Sequence, residues 1–247
     1  MALAASRRGY SYLGSHFAAE GFASLHLQHV GSDRSLWGAG NPLALVGRLQ
    51  DAAQETEAVA RVHDLRFALR QALGSEWGPL LDGQRVVAAG HSYGANTTLL
   101  ASGARVVRNG QPLDLLEPRL RAAIVISAPP FYGEPALGPI LGPVRVPSLH
   151  ISATEDVIRI PGYYSGPEDR VAVFEAIGSP RKALAMFSGG SHSIFTDRTG
   201  TGGLLLNGQV KGATKELATA FLRQVLLDDE QQAARPGTVS EDACLLY

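Results

Sequence analysis

Cysteine is almost absent from this chain: its 247 residues hold one, Cys244, close to the C-terminus. A single thiol forms no internal disulfide and cannot anchor a cysteine-based zinc site. Charge of either sign is also missing in excess, with 22 Lys and Arg against 23 Asp and Glu and a net charge of -1. That balance excludes the electrostatic footprint of a nucleic-acid or anionic-membrane binder. No apolar run is long enough to cross a bilayer. Arg7 and Arg8 have no apolar stretch behind them, so the N-terminus as written is not a signal peptide. A cytoplasmic protein is the expectation, or a secreted one if an upstream extension carries a signal. What is present is core material: 45% apolar and 18% charged residues, enough for one α/β domain.

The segments alternate in character. Tyr10–Glu20 reads as a short helix and Phe22–His29 as a strand. A Gly-, Ser- and Asn-rich loop covers Val30–Gln50. From Asp51 to Leu73 the apolar residues Val59, Val62, Leu65, Leu69 and Leu73 recur at helical spacing, and Gly74 stops the run. Arg85–Ala89, Ala122–Ser127, Val146–Ser152 and Lys182–Phe187 read as buried strands. Helices are expected over Asn96–Val107, Arg170–Ile177 and Thr214–Leu227. Pro129–Pro143, rich in Gly and Pro, is a surface excursion. Residues 1–230 thus form one domain with a mostly parallel sheet covered on both faces, and 231–247 a polar tail. In such sheets chemistry collects at the carboxyl ends of the strands.

Gly90-His91-Ser92-Tyr93-Gly94 lies between a predicted strand and a predicted helix. This is the G-x-S-x-G pattern in the context that gives it meaning. Gly90 and Gly94 leave room for a very tight turn, and Ser92 stands on it at a helix N-terminus, where a developing anion is favoured. A serine hydroxyl attacks only when a base takes its proton. Of seven histidines, His192 follows the last strand through a flexible Ser-Gly-Gly-Ser loop, where it can reach the turn. His26, His29, His63 and His150 fall within strands or helices and read as packed or solvated. His16 is on the first helix. His91 is adjacent to Ser92, so it points away from it and reads as support for the turn. The third member is a carboxylate that fixes the imidazole. Asp156, in the loop after Val146–Ser152, is favoured over its neighbour Glu155, with Asp197 a weaker rival.

These segments, together with Pro147 through Asp156 and Gly189-Gly190-Ser191-His192, resemble the α/β-hydrolase superfamily. Within it, they are similar to the serine esterase branch of chlorophyllases, dienelactone-hydrolase-like proteins and platelet-activating-factor acetylhydrolases. Dienelactone hydrolases proper use cysteine where this chain has Ser92. The resemblance implies ester hydrolysis through an acyl-enzyme, with Ser92 as nucleophile, His192 as base and Asp156 as the acid that orients it. It implies a small-molecule ester as substrate and no cofactor or metal. The oxyanion would be received by the Tyr93 N–H and a second donor near Leu3. Trp37, Phe131, Tyr132 and Phe195 would line the substrate cleft, with Tyr163 and Tyr164 nearby. The family's strand order also implies a strand between Phe22–His29 and Arg85–Ala89, for which Met1–Ser6 is too short. An open sheet edge beside Arg85–Ala89 is therefore expected, with weakened activity. Two other readings use the same residues: a non-catalytic binding module on this fold, and an acyltransferase or peptidase with the same triad.

Overall fold

The sheet is built from strands whose alternate residues are apolar toward both faces. In the computed structural model, which describes residues 7–30, 55–198, 203–227 and 243–246, its strand order is β1-β4-β5-β8-β9. Strands β1 (Val86–His91), β4 (Leu120–Ile126), β5 (Ser148–Glu155) and β8 (Lys182–Ser191) are mutually parallel. β9 (Ala243–Leu246) adds antiparallel to β8, so part of the expected polar tail pairs with the sheet. Four apolar or small residues at the end of a polar tail carry too little pattern to announce a strand.

Helices cover both faces. Ala123 and Val125 of β4 face one core, shared with Val62 of α2 (Glu55–Leu73), Leu99 of α3 (Tyr93–Ala101), Leu141 of α4 (Gly138–Leu141) and Val173 of α5 (Pro167–Ala176). Ile124 and Ile126, one residue out of phase, face the other core with Leu149 and Ile151 of β5. There they meet Leu13 of α1 (Ser11–Ala19) and Val210 and Leu222 of α6 (Leu204–Leu226). Each such aliphatic side chain contributes roughly 1.5–3 kcal/mol by leaving water, which fixes the register of β4 on both faces at once. Two short hairpins, β2–β3 (Val107–Arg108 with Gln111–Pro112) and β6–β7 (Ile158–Ile160 with Tyr163–Ser165), project from this frame.

Three expectations are corrected here. Phe22–His29 forms no strand; it lines a cavity of about 800 Å³ whose far wall is β1. Among the described residues β1 has a strand neighbour on one side only, namely β4, and a segment without an adjacent strand has no ladder to join. α3 begins at Tyr93, three residues before the expected start, because Gly94 and Ala95 are small enough to pack the first turn wholly into the core. α6 begins at Leu204 rather than Thr214: Gly208 and Gly212 depress helix propensity, and exposed Leu204 and Leu205 blur the amphipathic period.

Candidate active site

The turn after β1 is shaped by what its glycines lack. A Cβ at Gly90 would run into the Gly94 carbonyl, so the strand and the following helix cross at backbone contact. Ser92 takes the bend at φ 56 and ψ -128, a conformation that a side-chain-bearing residue adopts only under constraint. Its N–H donates to Ile126 O at 2.9 Å, which extends the β1–β4 ladder and pins the turn. Tyr93 N–H stands at the first position of α3, where the helix itself supplies no acceptor.

Three loops at strand carboxyl ends converge on Ser92. Ser92 Oγ–H donates to His192 Nε2 at 2.8 Å, and His192 Nδ1–H donates to Asp156 Oδ1 at 2.6 Å. The other carboxylate oxygen, Oδ2, accepts from Ser152 Oγ at 2.7 Å. Asp156 is wholly buried. Burial alone would raise its pKa. The His192 hydrogen bond and charge, with the Arg170 guanidinium 3.4 Å away, outweigh it and hold the carboxyl well below the usual range. A permanently ionised acceptor makes Nδ1 the protonated nitrogen and leaves Nε2 with a lone pair toward the serine. Ser92, its side chain largely buried, thus faces a proton acceptor in line with a fixed charge. Those are the parts that proton removal from a hydroxyl requires.

Glu155 belongs to β5, paired with Ser191, and its neighbour Asp156 meets the histidine. Asp197 lies elsewhere: it accepts the Ser11 and Tyr12 backbone N–H groups at 2.7 and 3.4 Å and so caps α1. Leu3 and Trp37 fall outside the described residues. Phe131 packs against the first core. Tyr132 directs its hydroxyl to Tyr163 O and Ser165 Oγ, both at 3.0 Å, and its ring packs edge-to-face with that of Tyr163. Phe195 is completely buried in the second core, beside His91 and Phe187. It is packing, with no surface to offer a ligand. Tyr164 is largely exposed.

One side chain near the site is not legible as such. Arg170 of α5 is buried behind Asp156 and also donates to Ser165 Oγ at 2.9 Å. His91, expected to support the turn, reaches further and touches the His192 backbone. A lone arginine on a short amphipathic helix reads as solvated, and only the fold brings it to the carboxylate.

No protein-family model matches this sequence, and no curated protein matches it. The geometry stands on its own. Among the described residues no group of three or more His, Cys, Asp or Glu is placed to hold a metal ion. Likewise no described helix is long and apolar enough to cross a membrane.

Proposed function

We propose that this chain is a serine hydrolase of the α/β-hydrolase superfamily that cleaves carboxylic esters through an acyl-enzyme. The observation that carries the reading is the line Ser92 Oγ, His192 Nε2, His192 Nδ1, Asp156 Oδ1, with contacts of 2.8 and 2.6 Å on a strained turn after a parallel strand. The order Ser, Asp, His along the chain is the one this architecture uses.

In the proposed reaction His192 Nε2 takes the Ser92 proton as Oγ bonds to the ester carbonyl carbon. The carbonyl electron pair moves to oxygen, where the Tyr93 N–H and the N-terminus of α3 stabilise it. Collapse of the tetrahedral adduct breaks the bond to the alkoxide, which leaves with the proton held on Nε2. Water then repeats the sequence against the acyl-enzyme, giving the acid and restoring Ser92. Asp156 keeps its negative charge throughout and stabilises the imidazolium. A second oxyanion donor would come from the segment around Leu3, and its loss would lower the rate by roughly 10²–10³.

Steady-state hydrolysis of short p-nitrophenyl esters tests the reading. Wild-type protein is expected to turn over, with Ser92→Ala and His192→Ala at background and Asp156→Asn slower by about 10³–10⁴ in kcat. Equal activity in Ser92→Ala would refute it. The non-catalytic alternative predicts a folded wild-type protein without turnover.

A further inference from the structure

His91 is the last residue of β1, next to Ser92, yet makes its contacts on the other side of the site. Its Nε2 lies 2.9 Å from the His192 carbonyl oxygen, and its Nδ1 lies 2.7 Å from the Tyr10 hydroxyl. A carbonyl can only accept, so Nε2 carries the proton. The neutral ring then accepts from Tyr10 at Nδ1. The ring is buried, its centroid 4.8 Å from that of His192 and 6.0 Å from that of Phe195. Burial, with the neighbouring His192 adding to it, pushes its pKa well down, so the single donor is retained as pH falls.

The end of β8 that leads to His192 is rich in glycine. Gly189 and Gly190 precede His192 with φ of 70 and 81, and backbone of that kind has little intrinsic preference for one path. Gly189–Ser191 end β8 rather than forming the expected loop, and the ladder with β5 runs to Ser191 opposite Glu155. Gly189 N–H also donates to Thr154 Oγ1 at 2.8 Å, and Ile194 N–H to Ser191 O at 2.9 Å. Beyond the ladder, the bond from His91 holds the His192 carbonyl, and it starts one residue from the nucleophile.

We infer that His91 is a positioning residue: its Nε2–H suspends the His192 backbone from the strand end that carries Ser92, and Tyr10 locks the tautomer that makes this possible. The inference rests on the hydrolase reading above for its kinetic consequence, but its structural content does not. Fixing the base to His91, the last residue of β1 and the neighbour of the nucleophile, makes their separation less sensitive to movement of the glycine-rich end of β8. A misplacement of about 1 Å in such a pair can lower a rate by about 10²-fold.

Two amides of different length separate positioning from packing. Glutamine places its amide nitrogen near the position of Nε2 and can still donate to His192 O. Asparagine reaches only the position of Nδ1 and cannot. Both remove the same buried ring, so both should lose similar stability in urea. His91→Gln is expected to keep ester kcat within about threefold of wild type. His91→Asn should fall by about 10–100-fold in kcat with KM little changed. Tyr10→Phe frees the tautomer and should lie between them. Hydrogen exchange of the segment 188–195 gives the readout that needs no activity: faster exchange in His91→Asn and Tyr10→Phe, near-wild-type exchange in His91→Gln.

Parallel losses in Gln and Asn, in rate and in exchange alike, would overturn the inference and leave His91 as packing. If wild-type protein hydrolyses no ester, the hydrolase reading fails, while the exchange pattern still decides the role of His91. If the Asn variant does not fold, Tyr10→Phe and the ¹⁵N shifts of the His91 ring decide it. A ring protonated at Nδ1 in the wild type would contradict the arrangement.

Discussion

The Arg170 guanidinium and the Asp156 carboxylate face each other across 3.4 Å with almost no solvent on either. Asp156 is therefore shared among Arg170 behind it, His192 in front and the Ser152 hydroxyl. Removing one partner of a buried pair leaves the other charge without compensation. Arg170→Met should therefore destabilise the protein by about 3–5 kcal/mol in equilibrium urea unfolding. A loss under 1 kcal/mol would show that Asp156 is held adequately by Ser152 and His192 alone.

Stability should fall on mild acidification, before any carboxylate of the site titrates. His29, His91 and His150 are buried and neutral: burial pushes His91 well down, His150, with the Lys182 charge contributing, to about 3, and His29, with the Arg61 charge contributing, to about 4. In the unfolded chain all three would titrate near 6.5. Because the folded values are depressed, the unfolded state binds these protons first. The stability they contribute is present above about pH 6.5 and is lost as pH falls below it. Three protons correspond to a slope approaching about 4 kcal/mol per pH unit between about pH 6 and pH 5. Denaturation curves at pH 7.5, 6 and 5 test this, and His150→Gln should lower the slope by about a third. A flat profile would contradict the buried, neutral assignment.

The turn carrying Ser92 tolerates no side chain at Gly90, since a Cβ would overlap the Gly94 carbonyl. Gly90→Ala should lose about 3 kcal/mol or more, with ester hydrolysis lost with the crossing of β1 and α3. Comparable stability and activity in that variant would mean that the turn is more open than described.

How much of this was readable from residues alone follows from where the information sits. The G-x-S-x-G turn is local, so its glycines and Ser92 could be placed without knowing the fold. Asp156 and His192 follow strands, and a parallel sheet gathers strand ends on one edge; their order along the chain was enough to choose them. Phe22–His29 was misread because its alternating, apolar composition suits a strand, whereas a strand also needs a neighbour, and neighbours are a property of the whole sheet. Phe195 was misread for a related reason: a loop position after His192 suggested exposure, but the loop folds its ring under His91. Arg170 and Tyr10 owe their importance to contacts with Asp156 and His91, across 14 and 81 positions of chain respectively, and no local pattern encodes such contacts.

The cavity along β1 offers an independent check on the fold. Ala89 lines it together with Leu25, Leu69 and Leu226. Ala89→Val adds two methyl groups toward that space and favours extended backbone, so it should stabilise by about 1 kcal/mol. Destabilisation would indicate that the space beside β1 is already filled.

The account turns on Ser92 being the acylated residue, and a fluorophosphonate probe reads that most directly. Intact mass spectrometry should show one adduct per chain, and peptide mapping should place it on Ser92. Labelling should be abolished in Ser92→Ala and slowed by at least about 10³-fold in His192→Ala. An adduct on a different serine, or no adduct on folded protein that hydrolyses esters, would contradict the account.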